Sequence, residues 1–157
     1  YQLVAAPKLA TSLWLNVKAP TGDSAKLTGS GAIDASLTLA HEQVIGKRWA
    51  GFAQASGIYL SSGDLLPRQQ RHWVASGTLG FDYHYSQSLT VTVQLDGRTA
   101  VFKDSGLNRL GNAWIMTVGG EYRWRSQWPA QFGIGEDVKV DASPDVNFVF
   151  SVAKEWR

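Results

Sequence analysis

The stretch Trp73-Val74-Ala75-Ser76-Gly77-Thr78-Leu79-Gly80-Phe81-Asp82-Tyr83-His84-Tyr85 sets the fold class of this chain. Its odd positions carry Trp73, Ala75, Gly77, Leu79, Phe81, Tyr83 and Tyr85. Its even positions carry Val74, Ser76, Thr78, Gly80, Asp82 and His84. A period of two over this length is the signature of a β-strand with one apolar and one polar face. The same pattern runs outward in both directions. It covers Leu9–Lys18, Ile33–Glu42, Leu89–Arg98, Trp114–Trp124 and Val146–Arg157. Two further strands are expected with weaker signals. Trp49–Leu60 is rich in Gly and Ala and lacks a clean period, and Trp128–Gly135 is short, with Pro129 near its start. The expectation is eight strands.

Composition agrees. The chain has 157 residues, with 16 Gly, seven Trp, five Tyr and six Phe, a mix that favours β structure over helix. With no cysteine, disulfides and thiolate metal sites are excluded. Fifteen basic against 13 acidic residues give no footprint of a nucleic-acid binder. No run approaches the roughly 20 apolar residues of a membrane helix, whereas a membrane β-strand needs only about 9–11 alternating ones. The chain opens at Tyr1 with neither Met nor a signal segment, as expected where a leading part has been removed.

The connections alternate in length. Those near Val44–Arg48, Ser86–Ser88 and Arg125–Gln127 are short, and those near Pro20–Gly31, Ser61–His72, Thr99–Asn112 and Glu136–Asp145 are long. Bacterial outer-membrane barrels pair short periplasmic turns with longer outer loops in this way. The polar face is mostly Ser, Thr, Gly, Ala and Asn with scattered charges, which suits a barrel interior better than a water-facing surface rich in Lys and Glu. Aromatics gather at the strand ends. Trp49, Tyr85, Trp124, Trp128 and Trp156 fall at the short-turn end, and Tyr59, Trp73 and Trp114 at the other. Two such girdles flanking an aliphatic band match the two interfaces of a membrane. The expected fold is therefore all-β, an antiparallel up-and-down transmembrane β-barrel of about eight strands, or part of a larger barrel, with both chain ends on the short-turn side. The competing expectation is a soluble β-barrel or sandwich with Leu13, Leu37, Leu79 and Val93 packed inside.

Several stretches carry a family resemblance. They are Leu15-Asn16-Val17-Lys18-Ala19-Pro20-Thr21-Gly22-Asp23, Gly29-Ser30-Gly31 leading to Asp34, Gln70-Arg71 and Gln94-Leu95-Asp96-Gly97. Gly119-Gly120, Glu136-Asp137 and Ser143-Pro144-Asp145-Val146-Asn147-Phe148 complete the set. Their order resembles the C-terminal half of the proteins grouped as domain of unknown function 3187. The resemblance implies a Gram-negative outer-membrane location and no particular activity. One departure concerns the end of the chain, where Trp156 is followed by Arg157 although outer-membrane barrels commonly finish on an aromatic residue.

The polar face supplies the candidate site. Lys18, Asp34, Glu42, Asp82, His84, Asp96, Arg98, Glu121, Arg123 and Glu155 are expected to face the lumen. There they form either a buried ion-pair network or a lining that selects solutes. Asp82 and His84 share a face, as an acid–His pair would, but any i, i+2 pair on a strand does the same. Arg68, Arg71 and His72, next to Trp73, form a basic cluster at the long-loop end that suits phosphate, hence lipopolysaccharide. Asp23, Asp64, Asp104, Glu136, Asp137, Asp141 and Asp145 sit in expected loops without the spacing of a calcium loop, and turn roles explain them. The Gly29/Gly31 pair is likewise a loop, since no βαβ unit follows. No cofactor or metal is expected.

These residues point to an outer-membrane protein without enzymatic activity, structural, surface-interacting or passing small solutes, in contact with outer-membrane lipid and lipopolysaccharide. A lipid A or phospholipid-modifying enzyme and a soluble binder of apolar ligands are the alternatives.

Overall fold

The computed structural model describes residues 1–22, 26, 28–29, 31–62, 68–103, 111–124, 128–138 and 146–154. They form nine strands: β1 (Gln2–Ala6), β2 (Leu9–Lys18), β3 (Asp34–Ile45), β4 (Trp49–Leu60), β5 (Trp73–His84), β6 (Leu89–Arg98), β7 (Ala113–Trp124), β8 (Trp128–Asp137) and β9 (Val146–Val152). All nine belong to one antiparallel sheet in sequential order. Each strand thus pairs with its chain neighbours, across the long connections as well as the short ones, following the tendency of sequential strands to lie side by side. The turn after β3 shows the local chemistry. Gly46 takes φ 75°, a left-handed backbone that glycine enters without steric penalty. Gly31, in the long connection before β3, does the same with φ 66°.

Three expectations are corrected. The sheet has nine strands rather than eight, and it is open, with β1 and β9 as its edges rather than paired to each other. The extra strand, Gln2-Leu3-Val4-Ala5-Ala6, has no alternation and runs into Pro7. Its extended form comes from pairing with the start of β2, through Val4↔Thr11, Ala5↔Ala10 and Ala6↔Leu9, with an irregularity before Gln2↔Ser12. The odd count also overturns the expectation that both ends lie on the short-turn side. β1 and β9 run in the same direction, so the sheet begins away from the short turns and ends beside them. Closure depends on total strand number and stagger, which alternation within a strand does not encode.

Boundaries differ in detail. β4, the strand without a clean period, is a full 12 residues, in unbroken register with β3 and β5. β8 extends to Asp137, so Glu136 and Asp137 end a strand instead of opening a loop. Tyr85 lies just past β5. The last run stops at Val152, and Glu155 and Trp156 fall outside the described residues.

The sheet is a single layer with an uncovered apolar face. Among the described residues, the buried hydrophobics are Ala32, Ala50, Val74, Ala100 and Ala113, and no large side chain is fully buried. Leu37, Leu79 and Val93 are 50%, 53% and 45% exposed. They and Leu13 therefore do not meet in an interior. A fully buried Leu or Phe contributes about 1.5–3 kcal/mol, and this sheet draws on almost none of that. Its cohesion comes from the backbone ladders.

Candidate functional site

The register places nine of the ten expected lumen charges on one face. Lys18 opposes Asp34, Glu42 opposes Phe52, Asp82 opposes Thr92, and His84 opposes Thr90. Asp96 opposes Thr78 and Arg98 opposes Ser76, while Glu121 opposes Thr90 and Gln131, and Arg123 opposes Pro129. The tenth, Glu155, lies outside the described residues. This face is hollow. Asp82, Thr92, Asp96, Thr117, Glu121 and Gln131 line a trough of ≈ 1190 Å³, and Ser12, Glu42, Gln54 and Thr78 line a second hollow of ≈ 430 Å³.

Neutral donors, more than opposite charges, hold the carboxylates. Thr92 Oγ1 donates to Asp82 Oδ1 at 2.5 Å. Asp96 accepts from Thr78 Oγ1 and Gln94 Nε2, both at 2.7 Å. His84 Nδ1 meets Thr90 Oγ1 at 3.0 Å. Asp82 and His84 are each engaged by a threonine of β6, and no acid–His hydrogen bond joins them. Among the described residues, Lys18–Asp34 and Arg123–Glu121 are ion pairs on this face, each 2.7 Å. Lys18 and Arg123 are about half exposed, so such pairs contribute only about 0–1 kcal/mol. From Glu121 the network continues through Gln131 Nε2 at 3.3 Å, and Ser151 Oγ donates to Gln131 Oε1 at 3.2 Å. Sequence reading found the charges but missed their partners Thr78, Thr92, Gln94 and Gln131. Those depend on which residue stands opposite, and only register supplies that.

The other face ends in aromatic rungs. Three strands carry an outward aromatic pair ten residues apart: Trp49 and Tyr59 on β4, Trp73 and Tyr83 on β5, Trp114 and Trp124 on β7. The rungs join across strands. Trp49 and Tyr83 have ring centroids 4.7 Å apart, and Tyr59 and Trp73 are 5.2 Å apart, edge to face. Lys154 Nζ sits 5.5 Å from the Trp128 ring. The Trp114 ring covers Gly97, so a Cβ there would lie 2.7 Å from it. Trp156 is outside the described residues. Tyr83 and Tyr122 also belong to the short-turn rung, where sequence reading did not place them. Tyr83 was legible as an outward aromatic, and its contact with Trp49 was not.

At the long-loop end, Arg68, Arg71 and His72 are exposed, and His72 stacks on Tyr59 at 6.2 Å. His72 Nδ1 lies 3.0 Å from the Leu60 carbonyl oxygen. A bridge between Gln70 and Phe102 ties this segment to the one following β6. It brings in Lys103, which sequence reading did not single out. Asp23, Asp64, Asp104, Asp141 and Asp145 lie outside the described residues.

No curated protein and no solved structure matches this chain. The family model described as "Protein of unknown function (DUF3187)" matches residues 1–156, and the chain belongs to that family.

Proposed function

We propose that this sheet is part of the wall of a transmembrane β-barrel in a Gram-negative outer membrane, non-enzymatic, with its hollow polar face lining a water-filled passage for small solutes. The observation that carries the reading is the inverted arrangement of the two faces. The hollow face holds the hydrogen-bonded Asp, Thr, Gln and Arg side chains, and the outward face is aliphatic between two aromatic rungs. Ten residues of strand span roughly 33 Å. At the tilt usual for such barrels, that gives a band of about 25 Å, the height of the apolar belt of an outer-membrane protein. An apolar face left in water would forgo the burial that stabilises folded chains, whereas lipid supplies it.

The open edges bear on the size of the barrel. β1 and β9 run in the same direction, so joining them directly would make one parallel pair in an otherwise antiparallel sheet. An all-antiparallel barrel therefore takes an odd number of strands beyond these nine, giving the even total common in bacterial barrels. In this reading the further strands come from polypeptide outside this sheet, in keeping with the resemblance of the quoted motifs to a C-terminal half.

Planar-bilayer recording of full-length protein, purified in detergent and running compactly on gels unless boiled, tests the passage. Stepwise conductance is expected. Compact protein without conductance removes passage and leaves a structural wall. A protein that is monomeric in plain buffer removes the membrane reading as a whole.

A further inference from the structure

Two loop segments far apart in sequence are fastened together at the long-loop end. Arg71 N–H donates to the Val101 carbonyl at 2.7 Å, and Lys103 N–H donates to the Gln69 carbonyl at 2.6 Å. These bonds flank the antiparallel bridge between Gln70 and Phe102. In such a ladder, side chains alternate faces, so Arg71 and Lys103 fall on the same face, opposite to that of Gln70 and Phe102. They are diagonal neighbours, with backbones about 7–8 Å apart. That is a separation two cationic side chains can close on one phosphate group. Arg68 stands at the turn beside them, also exposed.

Three further observations give the pair its chemistry. Neither Arg68, Arg71 nor Lys103 forms an ion pair with a described residue. Holding like charges together without an anion is unfavourable, so the arrangement gains stability when one binds. The segment is also anchored. Gln70 Nε2 donates to the Ser61 carbonyl at 3.1 Å, and Leu60 N–H donates to the His72 carbonyl at 2.8 Å. Finally, Arg71 is two residues beyond Trp73, whose ring packs on Tyr59 in the aromatic rung. Aromatic rungs mark the depth of lipid headgroups, and the residues just beyond them meet the headgroup phosphates.

We propose that Arg71 and Lys103, flanked by Arg68, form a binding site for the phosphate of a phosphorylated lipid in the leaflet on the long-loop side. The site rests on the membrane reading above. The guanidinium of Arg71 supplies a planar fork for two phosphate oxygens, and the ammonium of Lys103 supplies a point charge on the other side.

Full-length protein in neutral detergent is titrated with bisphosphorylated lipid A, with the same lipid stripped of phosphate, and with inorganic phosphate, reading the bound fraction by native mass spectrometry. The phosphorylated lipid is expected to bind at least about tenfold more tightly than the stripped one. Arg71→Ala with Lys103→Ala is expected to lower its affinity by about tenfold or more, with unchanged heat-dependent gel mobility. Arg71→Lys with Lys103→Arg keeps both charges and is expected to retain most of the binding, as is Lys8→Ala in a distant turn. Equal affinity for the two lipids, or an alanine pair that binds like the parent, overturns the site. Displacement of the lipid by an equimolar amount of inorganic phosphate overturns the lipid as its ligand. Protein that needs no detergent fails at the earlier step, so the two failures are told apart.

Discussion

Leu79→Arg is expected to destabilise the protein in a lipid bilayer by about 2–4 kcal/mol, the depth-dependent cost of an arginine facing lipid near the midplane of a barrel. In water the same change would be close to neutral, because Leu79 is 53% exposed and substitutions at such surface positions usually stay within about 0.5 kcal/mol. The two environments thus give different answers for one side chain. Leu79 is the suitable reporter. It lies between Trp73 and Tyr83 on β5 and is flanked by Ala53 and Leu95 on the adjoining strands. Gln94→Arg is the companion change. Gln94 sits on β6 next to Leu95, with its amide on Asp96 in the hollow face. An arginine there meets water and a carboxylate, and the expected change is within about 1 kcal/mol. Denaturant unfolding in vesicles, followed by tryptophan fluorescence, compares the two. If Leu79→Arg proves as mild as Gln94→Arg, the outward face does not meet lipid.

Gly119→Ala and Gly120→Ala are each expected to cost about 1–3 kcal/mol, the usual penalty for forcing extra atoms into a filled space. A Cβ on Gly119 would overlap the Phe132 carbonyl oxygen and lie 2.8 Å from Gly133 Cα. A Cβ on Gly120 would overlap the Thr90 carbonyl oxygen. The obstacles are backbone atoms of β8 and β6, fixed by their own ladders, so neither can turn away as a side chain can. The adjacent glycines bring β7 close to both neighbours. Gly57→Ala is the contrast, since nothing lies within 4 Å of a Cβ there. Restricting the unfolded chain is then the main effect, and stability is expected to hold or rise by about 0.4–1 kcal/mol. Unfolding midpoints of the three variants read the difference, and equal shifts would contradict the close approach at β7.

The sequence carried the strands whose two faces differ in chemistry. β2, β3, β5, β6 and β7 follow from their period of two, and the charges of the hollow face followed from the same alternation. β4 gave little signal because Ala50, Gly51, Ala53, Ala55 and Gly57 are small on both faces. Its extended form comes from twelve consecutive pairs with β3. β1 was invisible for a related reason, being a short apolar run made into a strand by its neighbour. The partners of Asp82 and Asp96 lie on β5 and β6 at positions set by register, and that register depends on the geometry of the turn joining the two strands as well as on alternation within each. Lys103 joined Arg71 only through a bridge between two loops. Closure was the least legible property, because strand order and direction belong to the whole sheet.

The most direct measurement is collision accessibility of spin labels placed one at a time along β5 and β6. The chain has no cysteine, so each introduced cysteine is the single labelling site. In lipid vesicles, labels at Leu79, Phe81, Val93 and Leu95 are expected to be reached by oxygen, which concentrates in hydrocarbon. Labels at Thr78, Asp82, Thr92 and Gln94 are expected to be reached by a water-soluble nickel chelate. Strict alternation between the two, residue by residue, is the result of a sheet with lipid on one face and water on the other. Labels reached by the nickel chelate at all eight positions would contradict it.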